Sequence, residues 1–229
     1  MKKIVYAIIA FVMIALSGTT HATDVKAEDV INLHVGGTYS FIPSLVNTGS
    51  GFVQKSEGGG SVDPSSLGGR PLSYLYCVDL FTNVYVNNDY PSTTVNNAAL
   101  IHGAPLINAG KVAYLLENYG VDGQGDQAIA LQAAIWYEIY GPEVYKLDVN
   151  GSTSNTATLY NKYLDEAAIT SNSGDVSKFL WINPGNTSGT TYQGLVTSSP
   201  NPEPGTIMLF GVGMLGLIVF GKRRMNKAA

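Results

Sequence analysis

From Ala128 to Tyr140 the chain runs almost without a polar side chain: apart from tyrosine hydroxyls, only Gln132 and Glu138 interrupt it. Asp126 is a candidate N-cap ahead of this stretch and Gly141-Pro142 a stop behind it, so the spacing predicts one helix from Asp126 to Tyr140. A helix that is apolar nearly all round has no face to give to water and must lie inside a domain, with the other layers built around it. By three- and four-residue spacing, Gln132 shares a face with Ile129, Ala133 and Trp136. A carboxamide in such surroundings costs on the order of 1–3 kcal/mol unless its donors and acceptor find partners. The helix therefore demands a polar partner for Gln132 from elsewhere in the fold.

The rest of the body supplies strands and two further helices. Tyr39-Ser40-Phe41-Ile42, Leu72 to Phe81, Val84-Tyr85-Val86, Phe179-Leu180-Trp181-Ile182 and Tyr192 to Val196 read as strands. Gly49 to Gly69 reads as a long flexible loop; its Gly58-Gly59-Gly60 has no following Lys-Ser/Thr and no helix start, so it lacks the makings of a phosphate cradle. Val112, Leu115, Leu116 and Tyr119 recur at helical spacing within Lys111 to Tyr119, and Gly120 supplies the stop. A third helix is predicted over Ala157 to Ile169 with Leu159, Tyr163 and Ala167 inward. No repeat or heptad array is present. Residues 23–197 are long enough for one domain with a real core. The predicted class is α+β, with strands packed on a short buried helical unit.

The two ends carry their own signals. Lys2 and Lys3, the apolar run Ile4 to Leu16 and the small-x-small site Thr20-His21-Ala22 read as a secretory signal over residues 1–22. At the other end a linker, residues 198–204, contains Pro202-Glu203-Pro204; the uncharged run at 205–221 follows, then a basic tail at 222–229 that opens with Lys222-Arg223-Arg224. The run just reaches the lower limit for a transmembrane helix, and the basic cluster behind it keeps the carboxyl terminus cytoplasmic. This three-part order closely resembles the PEP-CTERM sorting signal of Gram-negative bacteria. The resemblance implies recognition by exosortase, a membrane protease-transpeptidase, processing near Pro202-Glu203-Pro204, a transient membrane anchor, and delivery to the cell surface or the exterior. The plain rival is a permanent single-span anchor. Seven basic residues against 16 acidic ones remain once the end signals, Glu203 among them, are set aside. Such a body disfavours nucleic acid, whose binding depends on clustered Lys and Arg.

Cys77, in Tyr76-Cys77-Val78, is the only cysteine. A lone exported thiol pairs with another molecule, lies buried and inert, or uses its chemistry. In a strand over these residues Leu75 and Cys77 face one way and Tyr74, Tyr76 and Val78 the other. Were the Cys77 face to pack on the Gln132 face, sulfur could attack the amide carbon, expel ammonia and leave a thioester. Proximity would supply the effective concentration and a dry shell would slow hydrolysis. Tyr76-Cys77-Val78 and Leu131-Gln132-Ala133-Ala134-Ile135-Trp136 resemble, in that order, the cysteine and glutamine motifs of bacterial thioester domains of surface adhesins. The resemblance covers roughly Leu72 to Tyr140. It implies that Cys77 forms the bond, Gln132 donates the acyl group, and Tyr76, Ile135 and Trp136 shield and orient the pair. It further implies a lasting amide to an amine-bearing surface or matrix component: a protein lysine, a polyamine or an amino sugar. Such a module acts once and is not a turnover enzyme. Wall-anchored members of that family lack a Gram-negative sorting tail, so their adhesive role does not carry over.

Other chemistries find less in the chain. A Cys-His hydrolase would need His34 or His102 beside Cys77, and neither sits in a nucleophile-base motif. Asp122-Gly123-Gln124-Gly125-Asp126 is too short for an EF-hand loop and reads as a turn ahead of the helix, so neither a metal site nor a cofactor is expected. The serious alternative is a non-covalent structural surface protein, its tyrosines stacking on polysaccharide and its cysteine inert.

Overall fold

The apolar stretch is a helix inside the protein, as its composition requires. The computed structural model describes residues 30–199, and among these the helix Asp126–Tyr140 buries ten of its side chains, Gln132 included. In chain order the elements before it are β1 (Val30–Val35), β2 (Thr38–Asn47), β3 (Phe52–Asp63), β4 (Ser66–Leu67), β5 (Arg70–Pro71), β6 (Tyr76–Cys77), β7 (Asn88–Asn96), β8 (Leu100–Ile101), β9 (Ala104–Pro105) and α1 (Ala109–Tyr119). The buried helix is α2, and β10 (Tyr145–Leu147), α3 (Ser154–Ala168), β11 (Phe179–Asn183) and β12 (Leu195–Ser198) follow it.

Two antiparallel sheets and a small β8–β9 hairpin result. A seven-stranded sheet has the order β5-β4-β1-β7-β11-β12-β6, and a three-stranded sheet the order β10-β2-β3. The class is the expected α+β. α2 packs against α1 and α3 and against β2, β3 and β10. In β2, side chains alternate as a half-buried strand should, with Ile42, Ser44 and Val46 inward. β6 is an edge strand: Cys77 lies opposite Leu195, Tyr76 lies opposite Val196, and Val78 N donates to Gly194 O at 2.9 Å. On an antiparallel ladder the residue between two bonded positions turns its own N–H and C=O the other way. Cys77 therefore presents both groups to the free edge.

Several predicted elements change. The expected loop Gly49–Gly69 contains instead the twelve-residue strand β3 and the short β4. Its glycines serve the sheet: Gly60 at φ +82° sits where the β2–β3 register shifts, the habit of a bulge, and Gly59 lets the strand press close to α2. Leu72 to Phe81 forms a ladder only at Tyr76–Cys77, because its other backbone groups bond elsewhere, Leu75 O with Val62 N and Leu80 N with the Tyr140 hydroxyl. Val84–Val86 is not a strand; the strand is the more polar β7, with Tyr90, Thr93 and Val95 buried and Pro91 at a register shift where no ladder N–H is needed. Tyr192 precedes β12, its ring 4.8 Å from that of Tyr90.

The helices come closer to expectation. α1 begins two residues before Lys111 and ends at Gly120. α2 has the predicted bounds, but Gly125 is its cap, and the Asp126 carboxylate instead accepts from Thr153, Asn155 and Thr156 at 2.8, 2.8 and 2.6 Å. α3 starts three residues before Ala157 because Thr153 Oγ1 caps it, accepting from Thr156 N at 3.0 Å. Ser198, read as linker, closes β12. No helix among the described residues is long and apolar enough to cross a membrane; the predicted signal, Pro202-Glu203-Pro204, the apolar run and the basic tail lie outside those residues.

Candidate functional site

The amide that α2 carries into the core meets the free edge of β6. Gln132 Oε1 accepts from Cys77 N at 2.9 Å, and Gln132 Nε2 donates to Cys77 O at 2.7 Å. The carboxamide thus occupies the place of a neighbouring strand, and its demand for a donor and an acceptor is met by one residue. Both residues are buried, Gln132 wholly and Cys77 to 2 % exposure, and the thiol is free.

Burial pushes the Cys77 thiol up to about 12, and the negative charge of Asp79 adds to the shift. The sulfur is therefore held as a thiol at neutral pH. β3 presses on the pair from one side. A Cβ built on Gly59 would lie 2.8 Å from Gln132 Cγ, 2.9 Å from Ile42 Cδ1 and 3.1 Å from Trp136 Cη2, so only a glycine fits between strand and helix. Trp136 packs edge-on against Tyr145, ring centroids 5.4 Å apart, and the Tyr145 hydroxyl lies 3.2 Å from Ser44 Oγ.

A cleft of about 280 Å³ reaches Cys77 and Trp136 but not Gln132, which lies behind them; Tyr39, Phe41, Glu57 and Tyr85 are among its other lining residues. Tyr76 and Ile135 are fully buried but do not line it. The Tyr76 ring leans on Tyr74 at 5.5 Å and its hydroxyl donates to Val121 O at 2.8 Å, so it fixes the strand from the opposite face, and burial raises its phenol. Sequence reasoning missed Gly59, whose signal was its place in a glycine run, and the cleft wall, which β2, β3 and the segment around Tyr85 form only by coming together.

Neither imidazole lines the cleft. His102 Nε2 lies 3.2 Å from Asp79 Oδ2, and His34 Nδ1 lies 2.9 Å from Asp89 Oδ1. Asp79 Oδ1 also accepts from the Tyr140 hydroxyl at 3.2 Å and from Phe81 N at 3.1 Å, fixing the turn that follows Cys77. No group of three or more metal-binding side chains converges among the described residues.

The carboxyl-terminal segment has a known counterpart. The family profile of the PEP-CTERM protein-sorting motif matches residues 202–224, from Pro202 to Arg224. The chain thus carries the sorting signal of an exported exosortase substrate bound for the Gram-negative cell envelope or surface. No significant match to the chain was found among curated proteins or solved structures.

Proposed function

We propose that the body of this exported protein attaches covalently to an amine-bearing partner through a thioester between Cys77 and Gln132. One observation carries the reading: the Gln132 carboxamide sits on the backbone of the only cysteine, held at 2.9 and 2.7 Å by that residue's own N and O. Sγ hangs through Cβ from the same Cα, so rotation about one bond governs its approach to the carboxamide carbon. The surrounding burial limits the water that would hydrolyse an acyl-sulfur bond.

The chemistry needs no outside reagent for its first step. Sγ bonds to Cδ of Gln132, the Cδ–Nε2 bond breaks, and the thiol proton leaves with the nitrogen as ammonia. When a partner amine arrives, its nitrogen bonds to Cδ, the Cδ–Sγ bond breaks, and a proton returns to sulfur. The product is a substituted amide on residue 132 and a free Cys77 thiol, so each molecule reacts once. The partner is a protein lysine, a polyamine or an amino sugar, and the sorting tail serves as a transient membrane anchor until exosortase processing near Pro202-Glu203-Pro204. Methylamine added to the purified exported protein should give a one-to-one adduct mapping to Gln132, and Cys77→Ala should give none; an adduct that survives Cys77→Ala would refute the assignment.

A second reading has its own support. Two hydrogen bonds from Gln132 already satisfy the β6 edge, and Phe41, Phe81 and Tyr85 are exposed by 65, 58 and 64 %, which suits stacking on sugar rings. Under this reading the protein is a non-covalent polysaccharide-binding or structural surface protein with an inert cysteine. It expects equal retention of wild type and Cys77→Ala on polysaccharide, with no covalent adduct from any amine.

A further inference from the structure

Glu57 is the one charged side chain in the lining of the cleft that reaches Cys77. Its placement follows from the sheet. Glu57 lies opposite Ile42 in the β2–β3 register, Ile42 is fully buried, and directly opposed residues share a face. Gly59, two positions along β3 and on the same face, is the residue whose added Cβ would strike Gln132 Cγ. The carboxylate thus leaves the strand on the side that covers the acyl carbon. Its cationic neighbour is Lys55, at 3.9 Å with both side chains partly in solvent, a separation that marks a loose pair. An acidic group between apolar walls, without a tight counter-ion, is a seat for a cation that arrives from outside. Tyr39, Phe41 and Tyr85 add ring faces that attract an ammonium in the same cleft.

We infer that Glu57 selects cationic primary amines for the Cys77–Gln132 site, receiving the ammonium group in the cleft and accepting the proton that must leave before nitrogen can attack. This inference rests on the thioester reading. Alkyl amines of the lysine type have a pKa of about 10.4 and are almost wholly protonated at neutral pH, so a nearby carboxylate both gathers them and removes the first proton. The nitrogen then bonds to Gln132 Cδ as the Cδ–Sγ bond breaks. Its second proton passes to sulfur, and Glu57 releases the first to solvent. Water and hydroxyl groups carry no positive charge and are not gathered by Glu57, which biases the site toward amide formation over hydrolysis.

The test compares a charged with an uncharged nucleophile at pH 7 on the purified exported protein. Methylamine is a cation at this pH, while hydroxylamine is largely neutral. Glu57→Gln should slow methylamine incorporation by about tenfold or more and leave hydroxylamine cleavage within about twofold of wild type. Intact mass before either addition serves as control, since the variant should still lack one ammonia. Equal slowing of both nucleophiles, or slowing of neither, would overturn the role of Glu57 while leaving the thioester standing. A wild type with full mass and no reaction with either nucleophile removes the thioester, and the role of Glu57 falls with it.

Discussion

Gln132 both bonds and, in the proposed chemistry, reacts, and substitutions at this residue separate the two duties. Gln132→Glu keeps an acceptor for Cys77 N but loses the donor to Cys77 O and has no amide nitrogen to expel; intact mass should show no ammonia deficit and no methylamine adduct. In a Cys77→Ala background, where no thioester forms and Nε2 is retained, Gln132→Ala leaves the backbone N and O of residue 77 buried without partners, and urea unfolding should record a loss of about 1–3 kcal/mol for each group. Gly59→Ala drives a methyl group to 2.8 Å from Gln132 Cγ, an overpacked contact costing about 1–3 kcal/mol, and it should also slow amine incorporation; full stability and full labelling would show that β3 yields freely there. The thiol at about 12 sets the chemistry at the same scale. Once methylamine has opened the thioester, iodoacetamide should alkylate native Cys77 slowly at pH 8 and faster as pH rises toward that value. Rapid alkylation at pH 8 would mean that the sulfur is less sheltered than its burial implies.

Between elements, the thioester would be a crosslink from β6 to α2, two segments whose bonded residues lie 55 positions apart. Closing a loop of that length restricts the unfolded chain by about 4 kcal/mol, so opening the bond with methylamine should lower the melting temperature by roughly 10 °C and leave that of Cys77→Ala unchanged. Equal shifts in both proteins would trace the effect to the amine itself. A separate joint ties α2 to α3, where Thr156, Asn155 and Thr153 donate to Asp126 and hold its carboxyl below the ordinary aspartate value. A carboxyl depressed in the folded state contributes stability that is present above its unfolded value of about 3.9 and is lost as pH falls through the folded value. Asp126→Asn should flatten that part of the acid-unfolding curve, and an unchanged curve would assign the acid sensitivity elsewhere. What the sequence shows of these elements follows from where their signals lie. α2 was legible because a long apolar run with flanking breakers has few other solutions, and Gln132 was conspicuous within it. β3 was not, because a strand exposed over Phe52–Ser56 and glycine-rich beyond reads as a loop until β2 and α2 supply what it packs against. β6 is shorter than its sequence suggests for the opposite reason: its neighbours are apolar enough for a longer strand, but their backbone partners come from β3, from loops and from a tyrosine hydroxyl.

Over the whole molecule, an acidic body is joined to a sorting tail that marks the chain for the Gram-negative cell envelope or surface. The PEP-CTERM motif at residues 202–224 marks an exported exosortase substrate, and the body between the end signals carries 16 acidic residues against seven basic ones. That imbalance favours approach of cationic amines over anionic ones, so labelling by a diamine should exceed labelling by an amino acid of equal length and should weaken with added salt; the reverse preference would sever surface charge from partner choice. The cleft residue Glu57 and the wider surface then act in the same direction at two ranges. The central claim, that sulfur has displaced nitrogen at residue 132, is tested most directly by the intact mass of the freshly purified exported protein before any amine is added. A mass one ammonia below that of the processed sequence, returning to full mass or to the methylamine adduct on treatment, is the expected result. A full mass, with Cys77 titrating as one free thiol as soon as the protein is unfolded, would contradict it.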